Sequence, residues 1–300
     1  VYRQILVPLD GSRFAEAALP IALDVSRRTE ADVRLVTVQE PIPSFAYDEW
    51  EAAASDWSED YLANVVERIG DRAGGAVTTA LRTGPVVERL REEMDEVDAD
   101  LVVMATHGRG MLSRAWLGSV ADGFVHLCDR PVLLVRPEEE PDEPEEVAAE
   151  APLQRMLIPL DGSELSEAAL EHAVQLGSLF GCSYHLVRIV PYPVDIASPY
   201  LPHTVQMNQG LVEEACESAR DYLEARAERM RHRDLEVDTG VFVDAQPGRG
   251  ILREAEERSC DFIAMSTHGR KGLTRAILGS TSDKVLRGTR VPVLLYRPPE

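Results

Sequence analysis

Two loops in this chain carry the residue types that hold a phosphate. Residues 104–119 read MATHGRGMLSRAWLGS, and residues 265–280 read MSTHGRKGLTRAILGS. In each, a small residue (Ala105 or Ser266) is followed after two positions by Gly108 or Gly269. After nine intervening residues comes a Gly-Ser pair, Gly118-Ser119 or Gly279-Ser280. Small residues let a ligand approach the backbone closely. A Gly-Ser pair opening a helix offers an anion free amides, the positive helix end and a hydroxyl. Arg109, Arg270 and Lys271 add charge if they turn inward. Upstream, Asp10-Gly11-Ser12 and Asp161-Gly162-Ser163 precede a helix, which they are expected to cap. Asp161 and Glu164 have the spacing of a capping box. His107 and His268 recur without a base–nucleophile partner at a recognisable spacing, so they read as loop hydrogen-bonders rather than catalysts. The remaining His and Cys show no metal-ligand spacing.

These residues sit in a duplicated frame. One module opens with ILVPLDGS (residues 5–12) and closes with RPVLLVRP (130–137); the other opens with MLIPLDGS (156–163) and closes with RVPVLLYRP. In the first, strands are expected at Ile5–Pro8, Val33–Val38, Val77–Leu81, Leu101–Ala105 and Val132–Val135. Residues 12–28 have one helical rhythm. Further helices carry Leu62, Val65 and Ile69, then Leu90 and Met94, then Val120, Phe124 and Val125. Trp57 is expected to pack with the first of these, although Tyr47, Trp50 and Trp57 also have the makings of a flap over the site. Strand–helix alternation implies right-handed crossovers and a parallel sheet. The fold class is therefore α/β, two tandem Rossmann-like domains, each an open five-stranded parallel sheet flanked by helices. Ligands of such sheets bind at the carboxyl ends of the strands, where the strand order reverses. About ten extra residues enter the second copy between its second and third strands, with 191–210 the expected place. Gly84-Pro85 after the third strand is matched with Gln246-Pro247. The expected division is 1–137, an acidic linker at 138–152, and 153–300.

Lys plus Arg is 31 and Asp plus Glu is 52, a net charge of −21, and lysine occurs only at 271 and 284. Such a surface repels nucleic acid and anionic membrane, so neither is expected as a partner. Solubility accounts for the acidity; adaptation to high salt is the other reading. Four cysteines without a CxxC pair fit a reduced, cytoplasmic compartment. No apolar run reaches transmembrane length, and the chain opens directly into a strand without a signal peptide.

The repeated frame resembles the universal stress protein family, over both modules and leaving only the linker. Nucleotide-binding members of that family carry Gly-x2-Gly-x9-Gly-Ser/Thr. Both copies match except at the first Gly, which is Ala105 or Ser266. If that glycine serves a positive φ, its replacement costs on the order of 1 kcal/mol; if it only leaves room, Ala and Ser nearly suffice, and this second reading is preferred. The resemblance implies domains of the adenine nucleotide alpha hydrolase-like kind, paired through their last strands as an internal pseudo-dimer, with a homodimer as a further option. It implies ATP, with or without Mg²⁺, on Asp10, Val38, Gly108, Gly118 and Ser119 in the first copy. In the second the same positions are Asp161, Ile189, Gly269, Gly279 and Ser280. Pro8, Met104, Ala105, Arg109 and Val120, and Pro159, Met265, Ser266, Arg270 and Thr281, flank those positions. Paired carboxylates near the loop and a Walker lysine are both missing, so the expected role is a non-enzymatic, ATP-binding regulator of the stress response. A slow ATPase and a nucleotide-free interaction module stay open as alternatives, and the two sites are expected to be unequal.

Overall fold

Continuous apolar runs become the buried strands of two α/β units. The computed structural model describes residues 2–41, 48–106, 117–137, 153–191, 209–267 and 279–298. Of these, the first unit holds 2–137 and 290–298, and the second holds 153–267 and 279–289.

The first unit contains β1 (Gln4–Pro8), α1 (Arg13–Glu16), α2 (Leu19–Thr29), β2 (Asp32–Gln39), α3 (Asp48–Ile69), β3 (Val77–Thr83), α4 (Val86–Glu96), β4 (Leu101–Ala105), α5 (Ser119–Leu127) and β5 (Val132–Val135). The second contains β6 (Arg155–Pro159), α6 (Glu164–Phe180), β7 (Ser183–Val190), α7 (Gln209–Arg231), β8 (Val237–Val243), α8 (Pro247–Glu257), β9 (Phe262–Ser266) and α9 (Ser280–Gly288). β10 (Val293–Tyr296) falls in the first unit.

The first sheet runs β3-β2-β1-β4-β5 with every pair parallel. β10 adds to its edge, with Val293, Leu294 and Leu295 antiparallel to Leu134, Leu133 and Val132. The second unit repeats the order as β8-β7-β6-β9, again parallel. The architecture is thus α/β with parallel-dominated sheets flanked by helices. In both units the order reverses beside the first strand, between β1 and β4 and between β6 and β9. β4 and β9 are buried along their whole length, as strands covered on both faces should be. Burying a Leu- or Phe-sized side chain such as Leu6, Phe124, Leu157 or Phe262 contributes about 1.5–3 kcal/mol.

Three expectations change. The single helix over 12–28 is two helices, because Pro20 has no N–H to give the carbonyl of Glu16. Ala17 and Ala18 make tight bonds to Phe14 and Ala15 instead, at 3.2 and 3.3 Å. In the second copy Glu171 stands at that position and α6 runs unbroken for 17 residues. Second, the extra residues enter in two places. The offset between copies is 151 at Gln39 and Val190, 160 at Val77 and Val237, and 161 at Val86 and Pro247. One insertion therefore follows β8. Gly84 N–H donates to the carbonyl of Gln39 and Asp244 N–H to that of Val190, so Gly84 matches Asp244, not Gln246. Third, Trp57 is 49% exposed and stacks on Tyr61, with ring centroids 5.7 Å apart, while Ser58, Leu62, Val65 and Ile69 form the buried face of α3. Tyr47 and the Trp50 side chain lie outside the described residues, as do the linker and residues 192–208.

Candidate functional site

Pro8 and Pro159 end β1 and β6, and the chain then turns through Gly11 (φ 82°) and Gly162 (φ 90°), a region open to glycine. The turn is closed the same way twice. Asp10 Oδ1 accepts from the N–H of Ser12 at 2.9 Å and from its hydroxyl at 2.6 Å; Asp161 does so for Ser163 at the same two distances. The serines are the helix caps, accepting from Ala15 N–H at 3.2 Å and Ser166 N–H at 3.1 Å. The capping box expected between Asp161 and Glu164 is therefore not the device used: Asp161 orients the capping hydroxyl from outside the helix.

Across the reversal point, Met104 and Ala105 end β4, and Met265 and Ser266 end β9, all buried. Neither Ala105 nor Ser266 has a positive φ, so the replaced first glycine carries no backbone strain. Gly118 (φ −64°, ψ 150°) and Gly279 (φ −55°, ψ 142°) precede α5 and α9, with dihedrals any residue adopts. What glycine supplies there is an absent side chain beside the first turn of a helix. Asp122 and Asp283 N–H make the first helical bonds, to Gly118 and Gly279, and neither helix has a side-chain cap. The amides of Ser119 and Val120, and of Ser280 and Thr281, thus lie in the unbonded first turn. Ser119 and Ser280 are exposed; Val120 and Thr281 are half-buried. Val38 and Ile189 lie at the carboxyl ends of β2 and β7, opposite Arg82 and Phe242. Gly108, Arg109, Gly269, Arg270, Lys271 and both motif histidines lie outside the described residues.

The two copies diverge within this frame. In the first, Gly118 N–H is committed to the carbonyl of Thr106 at 2.7 Å. In the second, Ser282 on the first turn of α9 reaches the carbonyl of Ser266 at 3.4 Å. The Ser266 hydroxyl itself is buried, on a residue 6% exposed, without a partner among the described residues. A buried hydroxyl without a partner is costly unless something satisfies it. Just after β8, Asp244 accepts from Gln246 N–H and from Arg249, and these bonds hold its carboxyl below the usual carboxylate range.

Sequence reasoning missed a second repeated cluster under the Asp-Gly-Ser turns. Tyr61 O–H donates to Glu16 at 3.0 Å and Arg68 pairs with the same carboxylate; Tyr222 O–H donates to Glu167 at 2.7 Å, joined by Arg226. Burial, then Glu16 and Asp10, push the Tyr61 phenol well above its ordinary value; burial and Glu167 do the same to Tyr222. The clue was the recurrence of Glu at an offset of 151 and Tyr at 161. Chemically, the described part of the arrangement supplies oriented amides, hydroxyls and fixed carboxylates.

The universal stress protein family model matches residues 1–136 and 152–297. The chain belongs to the universal stress protein family. A universal stress protein of Mycolicibacterium smegmatis is 27% identical over 304 residues, 98% of this chain and 97% of that one. One from Mycobacterium tuberculosis is 29% identical over 311 residues, covering 98% and 96%. Among solved structures, a universal stress protein from Archaeoglobus fulgidus superposes with a TM-score of 0.73 at 19% identity, over 99% of this chain and 98% of that one, which shows the shared fold. Family membership therefore covers both copies. No described helix is long and apolar enough to cross a membrane.

Proposed function

We propose that this chain is a non-enzymatic regulatory protein of the stress response that binds adenine nucleotide, ATP with or without Mg²⁺, at the carboxyl edge of its sheets. The observation that carries the reading is the convergence on each edge of an Asp-fixed turn and an uncapped helix start preceded by a glycine that needs no special φ. The buried Ser266 hydroxyl, without a partner among the described residues, supports it in the second copy. The residues present fit the ligand. Gly118, Ser119 and Val120, or Gly279, Ser280 and Thr281, would hold phosphates. Asp10 or Asp161 would face the ribose or phosphates, and Val38 or Ile189 the base. Gly108, Arg109, Gly269 and Arg270 complete the loop in this reading. Binding would favour one state of an internal pseudo-dimer of the two domains. Domains at 1–137 and 153–300 joined by 138–152, and a cytoplasmic location, belong to the same proposal; the four cysteines are buried and unbridged, consistent with it.

A thermal-shift titration of the full chain with ATP and Mg²⁺ tests it. Ligand at a hundredfold excess over Kd should raise the midpoint by roughly 5–10 °C. Gly118→Val should remove the part of the shift that comes from the first copy. No shift at millimolar ATP would overturn the reading.

A further inference from the structure

The first turns of α8 and α9 meet at the carboxyl edge of the second unit. A Cβ on Gly248 would lie 2.9 Å from Lys284 Cβ and 3.2 Å from the carbonyl of Thr281; one on Gly250 would lie 2.9 Å from Ile189 Cδ1. Helical side chains lean toward their own N-terminus. Lys284, in the second turn of α9, accordingly brings its ammonium to the start of α8, where it donates to Gln246 Oε1. No carboxylate among the described residues pairs with Lys284, in a chain with 52 acids. Two helix N-termini and an uncompensated cation therefore face one edge. The buried Ser266 hydroxyl, without a partner among the described residues, belongs to the residue whose carbonyl accepts from Ser282 on the first turn of α9. The matching positions of the first unit differ in charge: Gly123 stands for Lys284, while Glu88 and Glu92 stand for Arg249 and Arg253, which both pair with Asp244 and leave Lys284 as the cation without a carboxylate partner among the described residues. The Arg89 guanidinium there is engaged by Glu92.

We propose that the second copy holds a charge-selective anion subsite, made by Lys284 with the first turns of α8 and α9, which the first copy lacks. The second site then prefers the more highly phosphorylated adenine nucleotide, and the first site discriminates by charge much less. This rests on the nucleotide-binding reading above.

The experiment is photolabelling of the full chain with 8-azido-ATP, with peptide mapping to assign label to each unit, in competition with AMP, ADP and ATP. In the second unit ATP should compete best and AMP worst; in the first the three should lie closer together. Lys284→Gln, at an exposed side chain, should reduce the ATP-over-AMP preference of the second unit by up to about fivefold, the upper end for an exposed charge contact, and leave the first unit unchanged. Lys284→Arg should keep the preference. An equal spread in both units, or a second-unit spread untouched by Lys284→Gln, would overturn the charge-selective subsite while leaving nucleotide binding intact. Label in neither unit would overturn both.

Discussion

The carboxyl edge of the first sheet and that of the second share a frame and differ at the rim. Each has the Asp-Gly-Ser turn, the small residue ending the fourth strand, and Gly-Ser opening a helix. Around that frame the first copy has Gly84, Glu88, Glu92 and Gly123, and the second has Asp244, Arg249, Arg253 and Lys284. Deeper in, the buried acid of α4 is kept in α8 and its partners change. Glu93 is held by the guanidinium groups of Arg34 and Arg82. Glu254 faces Arg258 and His185, a histidine with no exposed surface whose other ring nitrogen lies 2.5 Å from Asp238. A neutral imidazole has a single N–H, so two carboxylate contacts need a further proton on the ring or on an acid. The two copies thus share the frame proposed to hold a phosphate and differ in the charges around it.

The largest expected effect separates the two N-terminal helices. Glu171→Pro should place in α6 the break that Pro20 makes in the first copy, and cost about 3 kcal/mol or more. Pro20→Ala should change stability far less. Urea unfolding of the full chain measures both, and equal costs would mean that Pro20 is not what divides α1 from α2.

Acid should act next, and unequally. Glu167, Asp238 and Asp244 are held below the usual carboxylate range, and all three are in the second unit. For Glu167 and Asp238 burial opposes this; Arg226 and Tyr222 overcome it for the first, and His185 and Arg155 for the second. A lowered folded pKa stabilises above the unfolded value, about 4, and that stability is lost as pH falls through the lower folded value. The second unit should therefore lose structure first as pH drops below about 4, seen as earlier pepsin cleavage in its peptides. Earlier cleavage of the first unit would reverse the assignment.

The smallest effect concerns the caps. Ser163→Ala should cost about 1 kcal/mol, and Ser12→Ala less, because it caps the four-residue α1 rather than a 17-residue helix. Chemical denaturation of the two variants compares them, and a larger cost at Ser12 would break the argument.

Much of this was legible in the sequence, because buried strands leave unmistakable runs such as Leu101–Ala105 and Val132–Val135. The helical rhythm over 12–28 misled because it continues across Pro20, whose missing N–H breaks the ladder without disturbing the apolar spacing. Trp57 misled because an aromatic at helical spacing reads as core, whereas its ring stacks on Tyr61 at the surface. Gly84 and Asp244 share no chemistry, so only the backbone bonds to Gln39 and Val190 could align them. The motif residues were legible by type and spacing. Lys284 was not, since one cation in an acidic chain reads as a solvated charge until its helix is seen meeting the start of α8. The buried state of the Ser266 hydroxyl was likewise a property of the fold.

Equilibrium dialysis of ATP against the full chain, Gly118→Val and Gly279→Val tests the central claim most directly. Both substitutions keep dihedrals open to valine and remove only space at a helix start. The account predicts saturable binding to the parent chain, reduced by each variant in the copy it alters. Failure of the parent chain to retain ATP at millimolar concentration, or unchanged binding when both glycines are replaced together, would contradict it.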